Sequence, residues 1–172
     1  MRRVSGIVHS ERLAALGAAL AFTLAPLAAS AVPLPGQAAP DFSLPAPDHK
    51  TVKLAALRGH AVYVNFFASW CGPCNVEAPS ILQLREKYAS AGLEIVGIDE
   101  LDAPGQGEAF QKKYHDPFGL VAVDDSGNVG RTYGAIGLPV HIFINRHGIV
   151  TTYRQGEMDP GQIEAAIKDA LK

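Results

Sequence analysis

The sequence predicts an α/β domain: a mixed central sheet flanked by helices, preceded by an N-terminal β-hairpin. Three observations lead there. An unbroken apolar run at residues 61–67, rich in β-branched and aromatic side chains, reads as a strand buried on both faces and runs straight into a segment of helical periodicity. Strand-like and helix-like segments then alternate, the pattern of parallel strands joined by helical crossovers. The chain closes with two short strands around a turn and a helix with clear start signals.

Taken in order, Phe42 and Leu44 alternate with polar residues, as do Val52 and Leu54, and Asp48-His49-Lys50 between them supplies a turn. In 61–67 only Asn65 interrupts the apolar run. A helix is expected from Cys74 to Ala91, with Ile81, Leu84 and Tyr88 at helical spacing, Pro79 kinking it and Gly92 stopping it. Residues 93–98 form the next strand and 102–107 a loop rich in Pro and Gly. A short helix follows over 108–114, then a strand over 119–123. Residues 140–144 and 149–153 flank Asn145-Arg146-His147-Gly148 as a hairpin. In the last helix Asp159 is the cap, Pro160 the first residue and Gln162 the partner of a capping box, with Ile163, Ala166, Ile167 and Ala170 on one face.

The length fits one domain, and 48% hydrophobic residues suffice for a sizeable core. Arg2, Arg3 and Arg12 precede an uncharged, alanine-rich run over 13–29 that ends in Ala29-Ser30-Ala31, the pattern of a secretory signal peptide. The expected organisation is therefore a signal peptide at 1–31, with an uncleaved membrane anchor as the alternative, a Pro- and Gly-bearing linker at 32–38, and the folded domain at 39–172. Removal of 1–31 leaves 12 Lys+Arg against 16 Asp+Glu, a net charge of −4. Such an acidic body argues against nucleic-acid binding. Export places the thiols in an oxidising compartment, where they need a dedicated electron supply to stay reduced.

The chemistry is carried by Trp70-Cys71-Gly72-Pro73-Cys74, which holds the only two cysteines of the chain. A bridge closing so small a loop adds little stability through chain entropy, so the pair reads as a redox site. A structural zinc site would need further Cys or His ligands at zinc-like spacing, and there is no second Cys pair. With Cys71 at the first turn of a helix, the unpaired N–H groups and the helix dipole stabilise its thiolate and lower its pKa below about 8.5, which makes Cys71 the attacking sulfur. Cys74, one turn later on the same face, is the resolving sulfur, and Pro73 suits a first turn.

The motif resembles the active site of the thioredoxin superfamily residue for residue. With the order of strands and helices it identifies residues 39–172 as similar to a thioredoxin-like fold of the exported TlpA/ResA/CcmG-like thiol-disulfide reductases. That resemblance implies that Pro139, in Gly137-Leu138-Pro139-Val140, forms a cis bond facing the cysteines, so that Leu138 and Pro139 bind substrate backbone as a short added strand. Trp70 is an apolar platform beside Cys71. Glu77, one turn beyond Cys74, resembles the family's acidic residue that manages the resolving cysteine's proton; a solvated helix carboxylate is the alternative. Asn65 stands where thioredoxins themselves carry a buried aspartate, and since an amide cannot take a proton at neutral pH, that task passes to Glu77, water or the partner. Pro79 matches the kink proline of the family's helix.

The implied function is an extracytoplasmic protein-disulfide reductase of a bacterial periplasm, without cofactor. Disulfide-containing proteins are its substrates, and a membrane electron donor of the DsbD/CcdA kind its reductant. Cytochrome c maturation and copper-site assembly are the processes to which the resemblance extends. Two other functions compete with this one. Ala39-Pro40-Asp41-Phe42 also resembles the start of peroxiredoxins, but Val64 and Ala68 stand where those enzymes carry Pro and Thr or Ser around the cysteine. A Sco-like Cu(I) chaperone would use Cys71, Cys74 and a distant histidine such as His141, but Sco proteins have a three-residue spacer. His141, two residues after Pro139 in an apolar strand, is otherwise read as a packed histidine with a hydrogen-bond partner.

Overall fold

The structure, a computed structural model, describes residues 32–172. The signal peptide or anchor expected at 1–31 lies outside the described residues. In chain order the elements are β1 (Ser43–Pro45), β2 (Thr51–Lys53), β3 (Ala61–Phe67), α1 (Gly72–Tyr88), β4 (Leu93–Glu100), α2 (Gln106–Lys113), β5 (Leu120–Asp124), α3 (Asn128–Tyr133), β6 (Val140–Ile144), β7 (Val150–Gln155) and α4 (Pro160–Ala170). The five-stranded sheet has the order β5-β4-β3-β6-β7, and β1 and β2 pair separately as the expected hairpin. Strands β3, β4 and β5 run parallel through the crossovers α1 and α2, while β6 and β7 return antiparallel. This is the mixed sheet that the sequence predicts.

Every residue of β3 is buried because the sheet is covered on both faces. Ala61, Tyr63 and Phe67 point into a core with Ile81 and Leu84 of α1, Phe110 of α2, Phe143 of β6, and Ile163 and Ile167 of α4. Val62, Val64 and Phe66 point the other way, against Phe42, Leu44 and Val52 of the hairpin and Tyr133 of α3. Gly97 in β4 leaves the room that Phe118 fills: a Cβ there would stand 2.3 Å from its ring.

Element α1 begins at Gly72 rather than Cys74 and, beyond Tyr88, ends in a 3-10 turn over Ala89–Ala91, with Gly92 in the left-handed conformation at the stop. Pro79 lies inside the helix, as expected. Helix α3 was not foreseen. The stretch expected as a linker at 32–38 is tied to the sheet at its far end: Gly36 N–H donates to Val150 O at 2.8 Å, Val150 N–H to Gln37 O at 2.9 Å, and Ala38 bridges Ile149.

Candidate functional site

The site is built where β3 ends and α1 starts. Cys71 is the N-cap of α1, its backbone extended (φ −74°, ψ 109°), and its Sγ accepts a hydrogen bond from the Cys74 N–H at 3.2 Å. The first turn carries no acidic residue, and Pro73 sits where a helix does not need its missing N–H. Cys71 and Cys74 are joined by a disulfide with Cα atoms 5.3 Å apart, and both are buried. Trp70 beside them is 66% exposed.

Two side chains hold the chain leading into the motif. Asp102, just beyond β4, accepts from Ser69 N–H at 2.6 Å and from Ser69 Oγ–H at 3.0 Å. Asn75 donates to the carbonyls of Ser69 (3.0 Å) and Cys71 (2.7 Å), and its Oδ1 accepts from Tyr114 Oη–H at 2.8 Å and Lys113 Nζ at 3.0 Å. The helix start is thereby latched to the segment after β4 and to the end of α2. The sequence singles out neither residue, because their partners lie up to 39 positions away and no local spacing announces them.

Glu77 is not a solvated carboxylate: it is 3% exposed. Its Oε1 accepts from the Met158 N–H at 2.6 Å, in the turn before α4, and lies 3.6 Å from His141 Nε2. Oε2 has no hydrogen-bond partner among the described residues. Burial pushes the carboxyl up to about 7, the Met158 N–H works against that shift, and the charge of Glu157 adds to it. Cys74 and Glu77, three residues apart on a helix, share one face.

The sheet register explains what else surrounds Glu77. Asn65 is paired with His141, and Tyr63 with Phe143, so all four side chains project from the face that α1 and α4 cover. His141 is fully buried, with Nδ1 2.7 Å from Tyr63 Oη and Nε2 3.1 Å from Gly156 O. Burial depresses its pKa to about 4. Both ring nitrogens are engaged by protein groups, as the packed-histidine reading requires. Among the described residues no group of three or more His, Cys, Asp or Glu side chains is placed to hold a metal ion.

Leu138–Pro139 is a cis peptide bond. It immediately precedes β6, whose first residue Val140 pairs with Phe66, so it stands at the end of the sheet from which the cysteine motif emerges. Pro139 is buried, Leu138 is half-buried against both cores, and Pro139 O accepts from Gly156 N–H at 2.9 Å. The fold thus gathers Cys71, Cys74, Glu77, Leu138 and Pro139 at one end of the sheet, with Trp70 on its rim. Val76, Leu101 and Ile136, all exposed, belong to the same end: the second turn of α1, the residue after β4 and the loop before β6.

The Redoxin family model matches residues 34–171. The chain is 34% identical to the thiol-disulfide oxidoreductase ResA of Bacillus thuringiensis subsp. konkukian over 129 residues, which cover 75% of this chain and 74% of that protein. It is 35% identical to the thiol:disulfide interchange protein DsbE of Pseudomonas fluorescens biotype C over 121 residues, 70% of this chain and 66% of that one. Among solved structures, a putative DsbE from Chlorobium tepidum superposes with a TM-score of 0.74 at 34% identity, covering 81% of this chain and 99% of the other.

Proposed function

This chain belongs to the redoxin family and is a thiol-disulfide oxidoreductase of the ResA/DsbE type, and from that premise we propose that it works outside the cytoplasm as a reductase of protein disulfides. The observation that carries the reading is the placement of Cys71 at the N-cap of α1 with Cys74 one turn behind it. In the reduced protein the Cys71 thiolate attacks one sulfur of a substrate disulfide and expels the other as a thiolate. The Cys74 thiolate then attacks Cys71 Sγ, forming the intramolecular disulfide and releasing the second substrate sulfur. Two electrons pass to the substrate, and a dithiol donor of the DsbD/CcdA kind returns them to Cys71–Cys74.

Helix N–H groups and the dipole favour the Cys71 thiolate but fade within the first turn, so Cys74 needs a separate route for its proton. Glu77 supplies it. With its pKa raised to about 7, the carboxyl is divided between its two forms near neutrality and can both take and return a proton. Trp70, with Val76, Leu101 and Ile136 exposed at the same end of the sheet, gives the substrate an apolar surface, and the Leu138 backbone beside Pro139 pairs with an extended substrate segment. Residues 1–31 serve as the export signal or anchor, 39–172 as the catalytic domain, and apocytochrome c or copper-site assembly proteins are the substrates that the ResA/DsbE likeness supports.

The test is a pair of variants assayed with insulin as the disulfide. Cys71→Ser is expected to abolish reduction, and Cys74→Ser to arrest it with the substrate covalently trapped on Cys71. Mass spectrometry of proteins trapped in vivo by Cys74→Ser then names the substrates. Normal turnover by Cys74→Ser refutes the two-cysteine mechanism, and trapped partners confined to the cytoplasm refute the location.

A further inference from the structure

Glu77 faces an imidazole whose protonation state its neighbours decide. The acceptor of His141 Nε2, at 3.1 Å, is the Gly156 carbonyl, and a carbonyl can only accept; Nε2 therefore carries the hydrogen. In a neutral ring that leaves Nδ1 as a lone pair, which accepts from Tyr63 Oη–H at 2.7 Å. Having donated its proton there, Tyr63 Oη accepts from Asn65 Nδ2 at 3.0 Å, and the same amide lies 3.1 Å from Nδ1. Each link of the chain Asn65, Tyr63, His141, Gly156 then runs from donor to acceptor, in one direction only. To protonate Nδ1 would set an N–H against the Tyr63 O–H, and turning that hydroxyl away would point it at the Asn65 amide hydrogens.

We propose that this chain is a tautomer lock serving Glu77: it keeps His141 a neutral imidazole whose Nε2–H, given to Gly156 O, stands beside Glu77 Oε1 with the nitrogen 3.6 Å away, so that no imidazole lone pair faces that oxygen and the carboxyl exchanges its proton through Oε2. His141 is a positioning residue, and its role rests on the reading that Glu77 takes the proton of Cys74. The lock matters because an imidazole at its ordinary pKa of about 6.5 is nearly matched to such a carboxyl and, offering a lone pair, would draw the proton into a buried imidazolium–carboxylate pair. Burial in the same core acts with the lock, holding His141 down to about 4. The other titratable or charged groups that face Glu77 are Tyr63 from β3, the Glu157 carboxylate from the turn before α4 and, once the disulfide is reduced, Cys74 one turn back on its own helix.

The experiment is nitrogen and carboxyl-carbon NMR of the labelled, oxidised full-length protein between pH 5 and 9, joined to pH–rate profiles of insulin reduction by the reduced protein. His141 is expected to remain the neutral Nε2–H tautomer throughout while Glu77 titrates alone. In His141→Phe, which removes the N–H beside the carboxylate, the Glu77 midpoint should rise by about one pH unit, and His141→Gln, which restores an N–H there, should bring it back to within a few tenths. Tyr63→Phe should raise the pH at which His141 becomes an imidazolium. An Nδ1–H tautomer, an imidazolium titrating in step with Glu77, equal midpoints in His141→Phe and His141→Gln, or an unmoved His141 in Tyr63→Phe would each overturn the lock. Glu77→Gln separates this inference from its premise: an unchanged pH–rate profile in that variant removes Glu77 from the mechanism, whereas the tautomer and midpoint readings judge the lock itself.

Discussion

Single side chains set the entry to the cysteine motif, and Asp102 shows how two roles meet in one carboxylate. It accepts both the backbone and the hydroxyl hydrogen of Ser69 and, after burial, its charge is the next largest influence that holds Asp99 up to about 7. Asp102→Asn keeps one acceptor oxygen and turns an N–H₂ toward a donor. The expected result is a loss of about 1–3 kcal/mol in urea unfolding, with the Asp99 carboxyl titrating below 7 by NMR because its charged neighbour is gone. A carboxyl at Asp99 that does not move would show that burial alone sets it. At this scale the sequence was legible wherever chemistry is local: the cysteines, Trp70 and Pro73 declare themselves within five positions. The burial of Glu77 could not be read that way. Its partner, the Met158 N–H, is 81 residues distant, and helical spacing places the carboxylate beside Cys74 without telling whether water reaches it.

Among the elements, α4 shows how a helix start far from the cysteines bears on them. Asp159 Oδ1 accepts from Gln162 N–H at 2.9 Å and Gln162 Oε1 accepts from Asp159 N–H at 3.0 Å, a reciprocal cap foreseen from the sequence. The residue before that cap is Met158, whose N–H donates to Glu77 Oε1 at 2.6 Å and holds the Glu77 pKa down. Asp159→Ala should therefore cost about 1 kcal/mol and also move the Glu77 midpoint upward as the turn loosens, while Asp159→Asn, which keeps a capping oxygen, should do neither. Urea unfolding and the carboxyl-carbon titration read the two effects separately; a midpoint indifferent to Asp159→Ala uncouples the cap from the site. Elements with strong periodicity or clear caps were legible, including β3, α1, the closing hairpin and α4. Helix α3 was not, since six residues between Gly127 and Gly134, both at positive φ, are too few for a periodic apolar face. The 32–38 segment misled by composition: Pro33, Pro35 and Gly36 mark a turn, whereas what fastens it is backbone hydrogen bonding to Val150, which no side chain advertises.

Across the whole molecule, three of the carboxyls buried among the described residues give its stability an unusual dependence on pH. Glu77, Asp99 and Glu100 are all raised to about 7, chiefly by burial, with Asp102 adding to Asp99 and Asp124 to Glu100. In the unfolded chain they ionise near their ordinary values of 4.5, 3.8 and 4.5. Between those limits the folded protein holds three protons that the unfolded chain has released. His141 acts in the opposite sense, because its pKa, lowered from 6.5 to about 4, keeps it neutral when folded while the unfolded chain binds a proton there. Near pH 5–6 the balance is about two protons in favour of the folded state, so stability falls as pH rises, by on the order of 1–3 kcal/mol per pH unit, and levels off once the carboxyls have ionised above about 7. Urea unfolding of the oxidised protein from pH 4.5 to 8 should accordingly find the greatest stability at the acid end. Glu100→Gln, which removes one of the three titrating groups away from the cysteine motif, should flatten the slope by about one proton. A stability that stays level or climbs through pH 5–7 would mean that these carboxyls ionise in the fold at ordinary values, and Glu77 would then stand as a carboxylate at neutrality, unable to return a proton to Cys74.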